Sequence, residues 1–195
     1  MPSLELGAPD SWLTPGEGCI WKGPKSLRHT PKLQELYPDN ELLFKEILKI
    51  RDAGPDLLLQ EIAERKPTVL PDILELLQDA DSLWAGVNAF TLNLMKGWKI
   101  FPVREPSDPD GFALMSESDI WRIPDERLRT LFCKKLPLLA FTYDALSDMP
   151  NIRIKFGLDS HKLMVTNTTF YEDTNPRLRS PTTAEFRDRI KLMSR

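Results

Sequence analysis

Two histidines, two cysteines and a scatter of carboxylates are the residues of this sequence that could do chemistry. His29 stands in a basic, proline-flanked stretch, KSLRHTP, and His161 in a predicted hairpin loop, DSHK. Neither has a second ligand at helical spacing and no HExxH occurs, so the pattern assigns no metal. Cys19 and Cys133 form no CxxC and read as free thiols, not as a disulfide framework or a zinc site. GxGxxG, GxxxxGK[ST] and GxSxG are all missing. The glycines stand singly or in turns, whereas a phosphate cradle needs several adjacent accessible amides. Asp79 and Asp81 read as the solvated face of a helix. The stretch WKGPKSLRH, Trp21 to His29, mixes one aromatic with four cations; it reads as a solvated or partner-facing arm. Tyr143, Asp144, His161 and Cys133 are the polar residues that could line a pocket. No catalytic residue, cofactor or metal is assigned.

The bulk composition narrows the class. Net charge is −3 over 195 residues, with 41% hydrophobic and 28% charged residues. That is the balance of a globular chain with a real core. It argues against a nucleic-acid partner, since phosphate contacts need clustered Lys and Arg. No apolar run is long enough to span a membrane. The opening residues, MPSLELGAPDSWLTPGEG, carry no pattern of a cleavable targeting signal. Proline is unusually frequent, at 17 residues, and clusters outside the best helical segments.

Periodicity supplies the elements. Residues 1–38 read as an extended arm, with a proline about every seven residues blocking helix continuation. Trp12 and Trp21 are large apolar groups on that arm and must dock on something. Residues 39–53 and 55–66 read as two helices, the second opening on Pro55. Residues 71–98 hold the strongest pattern: Ile73, Leu76, Ala80, Leu83, Val87, Phe90 and Leu94 recur in steps of three and four, as in a heptad seam. Leu77, Trp84 and Trp98 widen the stripe. One helix cannot bury such a stripe alone, so residues 39–98 are expected to form a small three-helix bundle. Residues 99–118, broken by Pro102, Pro106 and Pro109, read as an extended linker arm. Residues 119–195 read as a C-terminal extension: short helices, a hairpin over 151–170 from the alternation of Ile152, Ile154 and Phe156, and a terminal helix over 181–194. The expected fold is thus mainly α, with proline-rich arms and a small C-terminal β-hairpin plus helix.

The helix exit Leu94-Met95-Lys96-Gly97-Trp98-Lys99, followed by Ile100, Phe101, Pro102 and Pro106, resembles a known family, as does the run LLFKEIL from Leu42 to Leu48. Both are similar to alpha-subcomplex subunit 5, an accessory subunit of mitochondrial respiratory complex I, NADH:ubiquinone oxidoreductase. The resemblance covers about residues 40–110. The segment between the first helix and the Trp-Lys exit is shorter than in that family. The run after Trp98 matches loosely, and residues beyond about 115 have no counterpart, as in a lineage-specific extension. The resemblance implies a helical hairpin core and no cofactor. It also implies a non-catalytic role on the matrix-facing arm, peripheral to the inner membrane and packed against other protein subunits of a hetero-oligomeric complex. Trp12, Trp21, Trp98, Phe101, Pro102 and Pro106 are then the expected partner-interface residues. Three other readings stay open: a subunit of ATP synthase or another inner-membrane assembly, a free-standing small-molecule or enzymatic domain, and an adaptor that offers the 71–98 stripe to a partner helix.

Overall fold

A computed structural model describes residues 18–163, which fold as part of one compact unit. Trp12, the 181–194 helix and most of the second half of the 151–170 hairpin lie outside the described residues. In chain order the elements are α1 (Leu33–Leu36), a π-helical turn (Leu42–Ile47), α2 (Pro55–Arg65), α3 (Leu70–Ser82) and α4 (Ala89–Lys96). Then come β1 (Phe101–Glu105), β2 (Asp108–Met115), α5 (Glu126–Phe132), β3 (Leu138–Leu139), α6 (Tyr143–Ser147), α7 (Pro150–Lys155) and a 3-10 turn (Leu158–His161).

This is a mixed α/β architecture, and it corrects the expected three-helix bundle. A three-stranded antiparallel sheet, ordered β2-β1-β3, lies among the helices. The residues read as a linker arm supply two of its strands. Phe101 pairs with Met115, Pro102 with Leu114 and Val103 with Ala113, and Glu105 faces Asp108 across a two-residue turn holding Pro106. Proline in a central strand normally argues against the strand. Here the Pro102 carbonyl accepts from Ala140 N at 2.8 Å, so its donor-less nitrogen faces the same edge. β3 ends at Leu139, and the missing donor therefore interrupts no long ladder.

The heptad stripe is also divided. α3 stops at Ser82, and α4 starts only at Ala89. Between them Gly86 takes φ +73°, a left-handed conformation that glycine adopts freely. Asn88 then caps α4, its Oδ1 accepting from Thr91 N at 2.8 Å. Ile73, Leu76 and Ala80 are buried, Leu83 and Val87 half-buried, but Phe90 and Leu94 are 73% and 53% exposed.

Two further expectations are corrected. The helix expected over 39–53 shrinks to the π-helical turn, which buries only Phe44 and ends before Lys49 at φ 55°. The strand expected from Ile152, Ile154 and Phe156 is α7 instead, opened by Pro150 and closed by Gly157 at φ 64°. Ile152 and Phe156, four apart, are fully buried, while Ile154 between them is exposed. Period four, not period two, governs these residues.

The main core joins α2, α3, Met95 of α4, the sheet, Trp121 and Ile123, and α6–α7. Phe101 sits at its centre, tilted against Trp121 at 5.3 Å and edge-on to Phe156 at 5.5 Å. A smaller cluster gathers Cys19, Trp21, Leu33, Phe44 and Ile50, with Trp21 stacked on Phe44. Residues 18–38 are therefore no free arm. Leu33 N donates to Ile20 O, Gln34 N to Trp21 O and Trp21 N to Arg51 O, each at 2.9 Å.

Candidate interaction surface

Large apolar side chains left in solvent are spread along the described residues, with Val69, Ile120, Leu131 and Ile154 standing singly and two groups gathered on short elements. On α4, Phe90 and Leu94 are one helical turn apart and share a face, while Met95 points into the core with no exposure. The helix is amphipathic, yet its outer side carries aromatic and aliphatic groups in place of charges. Trp98 follows at the exit, where its amide donates to Met95 O at 3.0 Å; its side chain is half-buried against the core. A second group lies on α1 and the π-helical turn: Leu36, Tyr37, Leu42, Leu43 and Ile47, of which Leu42 and Ile47 are 76% and 71% exposed.

The expected interface residues are distributed unevenly over this picture. Trp21 and Phe101 are buried inside this chain, at 1% and 0% exposure, and Pro102 is buried in β1. Trp98 and Pro106 are half-buried. Phe90 and Leu94 are exposed groups that the heptad pattern assigned to the bundle's seam. The signal that could have found this pair is the Gly86-Val87-Asn88 break, which rotates α4 out of register with α3.

The polar candidates do not converge. The Tyr143 hydroxyl donates to Asp159 Oδ1 at 2.8 Å, and that carboxylate first, with desolvation second, pushes the Tyr143 pKa up. The Lys162 ammonium lies 4.0 Å from the same ring. His161 is buried, stacked on Trp121 at 4.2 Å, with Nδ1 3.2 Å from Trp121 O. Cys133 lines a separate cleft with Arg104 and Arg129. Among the described residues no group of three or more His, Cys, Asp or Glu side chains could hold a metal.

Asp79 and Asp81 need correction too, since neither is spent on a solvated face. Asp81 is 7% exposed. Its Oδ1 accepts from Ile152 N at 2.7 Å and its Oδ2 from Asn151 Nδ2 at 3.2 Å, so it ties α3 to the start of α7. Asp79 accepts from the Ser26 hydroxyl. The basic stretch is docked on acids of α2 and α3: Arg28 meets Asp72 at 3.2 Å and His29 lies 3.7 Å from Glu61.

A model of the family described as Domain of unknown function (DUF8348) matches residues 41–166, well over half of the chain. The chain belongs to this family. No curated protein and no solved structure matches it. The DUF8348 match begins at the π-helical turn and takes in every element from there to the 3-10 turn. It includes the whole main core and the exposed face of α4. Cys19, Trp21 and Leu33 fall before it, so the smaller cluster is built from both sides of that boundary. Among the described residues no helix is long and apolar enough to cross a membrane.

Proposed function

We propose that this DUF8348 domain is a non-catalytic packing unit of a larger protein assembly, with the outer face of α4 as a partner surface. The observation that carries this reading is the pair Phe90 and Leu94, large apolar groups one turn apart on a short helix and more than half exposed. Scattered exposed hydrophobics are ordinary, but an aromatic-aliphatic pair on one helical face is the pattern of helix-to-partner contacts. Leu42 and Ile47 add a second contact region.

The candidate assembly is the matrix arm of mitochondrial complex I, which would place the chain on the matrix side of the inner membrane. It is named by the Leu94-to-Lys99 exit and the LLFKEIL run. The motif alone supports that name, because the implied helical hairpin gives way here to a β-hairpin directly after Trp98. ATP synthase or another inner-membrane assembly would meet the same surfaces. A native gel of gently solubilised membranes with the tagged chain separates these outcomes. Co-migration with NADH dehydrogenase activity is the expected result for complex I. Co-migration with ATPase activity transfers the proposal to ATP synthase, and migration as a free monomer overturns it.

A further inference from the structure

A cleft of about 360 Å³ opens between β1, α5 and β3, lined by Arg104, Glu126, Arg129, Thr130, Cys133 and Leu138. Its two arginines are unusually poorly satisfied. Arg104 Nε and Arg129 Nη2 are both buried without a hydrogen-bond partner among the described residues. Among the described residues Arg129 is held through Nη1 alone, which donates to Ala140 O at 3.2 Å. Among the described residues no carboxylate stands within ion-pair distance of either guanidinium. Desolvation, and then the neighbouring Arg104 charge, lower the Arg129 pKa from its ordinary value. Each orphaned N–H carries a desolvation cost, and two like charges in one cleft add repulsion. An acceptor with two oxygens in the cleft would satisfy both groups and offset their charge.

We infer that this cleft binds an organic carboxylate, with Arg104 and Arg129 donating to its two oxygens and Leu138 and Thr130 packing its apolar body. A planar carboxylate matches guanidinium forks. Glu126 at the rim offsets one of the two positive charges, leaving a net +1 that a singly charged group neutralises and a dianion overshoots. The cleft has room for a short acyl chain or one acidic side chain, and its wall includes the buried Leu138. The assignment is independent of the packing role of α4.

Cys133 lies in the same cleft and is half-buried, whereas Cys19 is buried in the smaller cluster. Alkylation of Cys133 by iodoacetamide therefore reads occupancy, and alkylation of Cys19 reads unfolding. Hexanoate is expected to slow Cys133 alkylation saturably, with inorganic phosphate and hexanol far weaker. Arg104→Gln and Arg129→Gln should each weaken hexanoate protection by about tenfold or more, the loss of a charge-assisted hydrogen bond. Arg129→Lys keeps the charge but loses the fork and should fall between; it carries the test if a glutamine variant exposes Cys19. An acetylated Leu-Glu-Leu amide distinguishes the source. Protection at lower concentration than hexanoate points to an acidic peptide side chain, and at higher concentration to a free organic acid. Absence of saturable protection by either carboxylate, equal protection in the variants, or equal protection by hexanol or phosphate would overturn the assignment.

Discussion

Single carboxylates hold together segments far apart in the chain. Asp81, at the end of α3, accepts from the backbone of Ile152 seventy-one residues later. Replacing it with alanine leaves that buried amide unpaired and frees Asn151. Asp81→Ala should cost about 1–3 kcal/mol in urea denaturation, and Asp81→Asn less because it keeps an acceptor. Asp119 makes a tighter local loop. Its carboxylate accepts from Ser116 N at 2.7 Å and from the Ser116 hydroxyl at 2.9 Å, while the Ser116 carbonyl accepts from Trp121 Nε1 at 2.8 Å. The Ser116 amide first, and its hydroxyl second, hold the Asp119 pKa below its ordinary value. A depressed folded-state pKa contributes stability above the unfolded-state value and loses it as pH falls through the folded one. Asp119→Asn should therefore lower the urea midpoint at pH 7, and the gap from the unaltered chain should begin to narrow below about pH 4 and keep narrowing as pH falls through the lower folded-state value. A gap that does not narrow at all between about pH 5 and about pH 2 would mean that the turn, not the charge, matters.

At the scale of elements, what was legible in the sequence depended on whether local signals agreed. α2 was legible because Pro55, its apolar spacing and the stop before Pro67 all point one way. The 71–98 stripe misled because steps of three and four continue past Leu83, although Gly86 and Asn88 already mark a break. Asn88→Ala should cost about 1 kcal/mol by removing the α4 cap. The stretch 151–156 misled differently: Ile152, Ile154 and Phe156 satisfy alternation, and only Pro150 and Gly157 disclose the helix. A substitution pair reads this directly. Phe156→Ala should destabilise by about 3–5 kcal/mol, while Ile154→Ala on the exposed side should stay within about 0.5 kcal/mol. Equal effects would restore the strand reading. The β-hairpin at 101–115 was hidden by its prolines, because the harmlessness of Pro102 depends on where β3 ends. That is a tertiary fact no local window contains.

For the molecule as a whole, the core accounts for most large apolar residues among those described, and the ones it leaves out define what the domain offers to others. Of the expected interface residues, Trp21 and Phe101 are consumed by the fold, since composition cannot tell an anchor for a partner from an anchor for the chain itself. The exposed pair on α4 emerged only once the helix break was known. The arginine cleft was equally illegible: Arg104 and Arg129 lie twenty-five residues apart, and only the β1–β3 pairing brings α5 over the strand that carries Arg104. The partner-surface claim is tested most directly by Phe90→Ser/Leu94→Ser in the tagged full chain, read by unfolding midpoint and native-gel migration together. The midpoint should stay within the roughly 0.5 kcal/mol expected of surface changes while co-migration with the assembly is lost. Co-migration unchanged in a folded double variant would contradict the α4 surface, and a collapse of the midpoint would return Phe90 and Leu94 to the core.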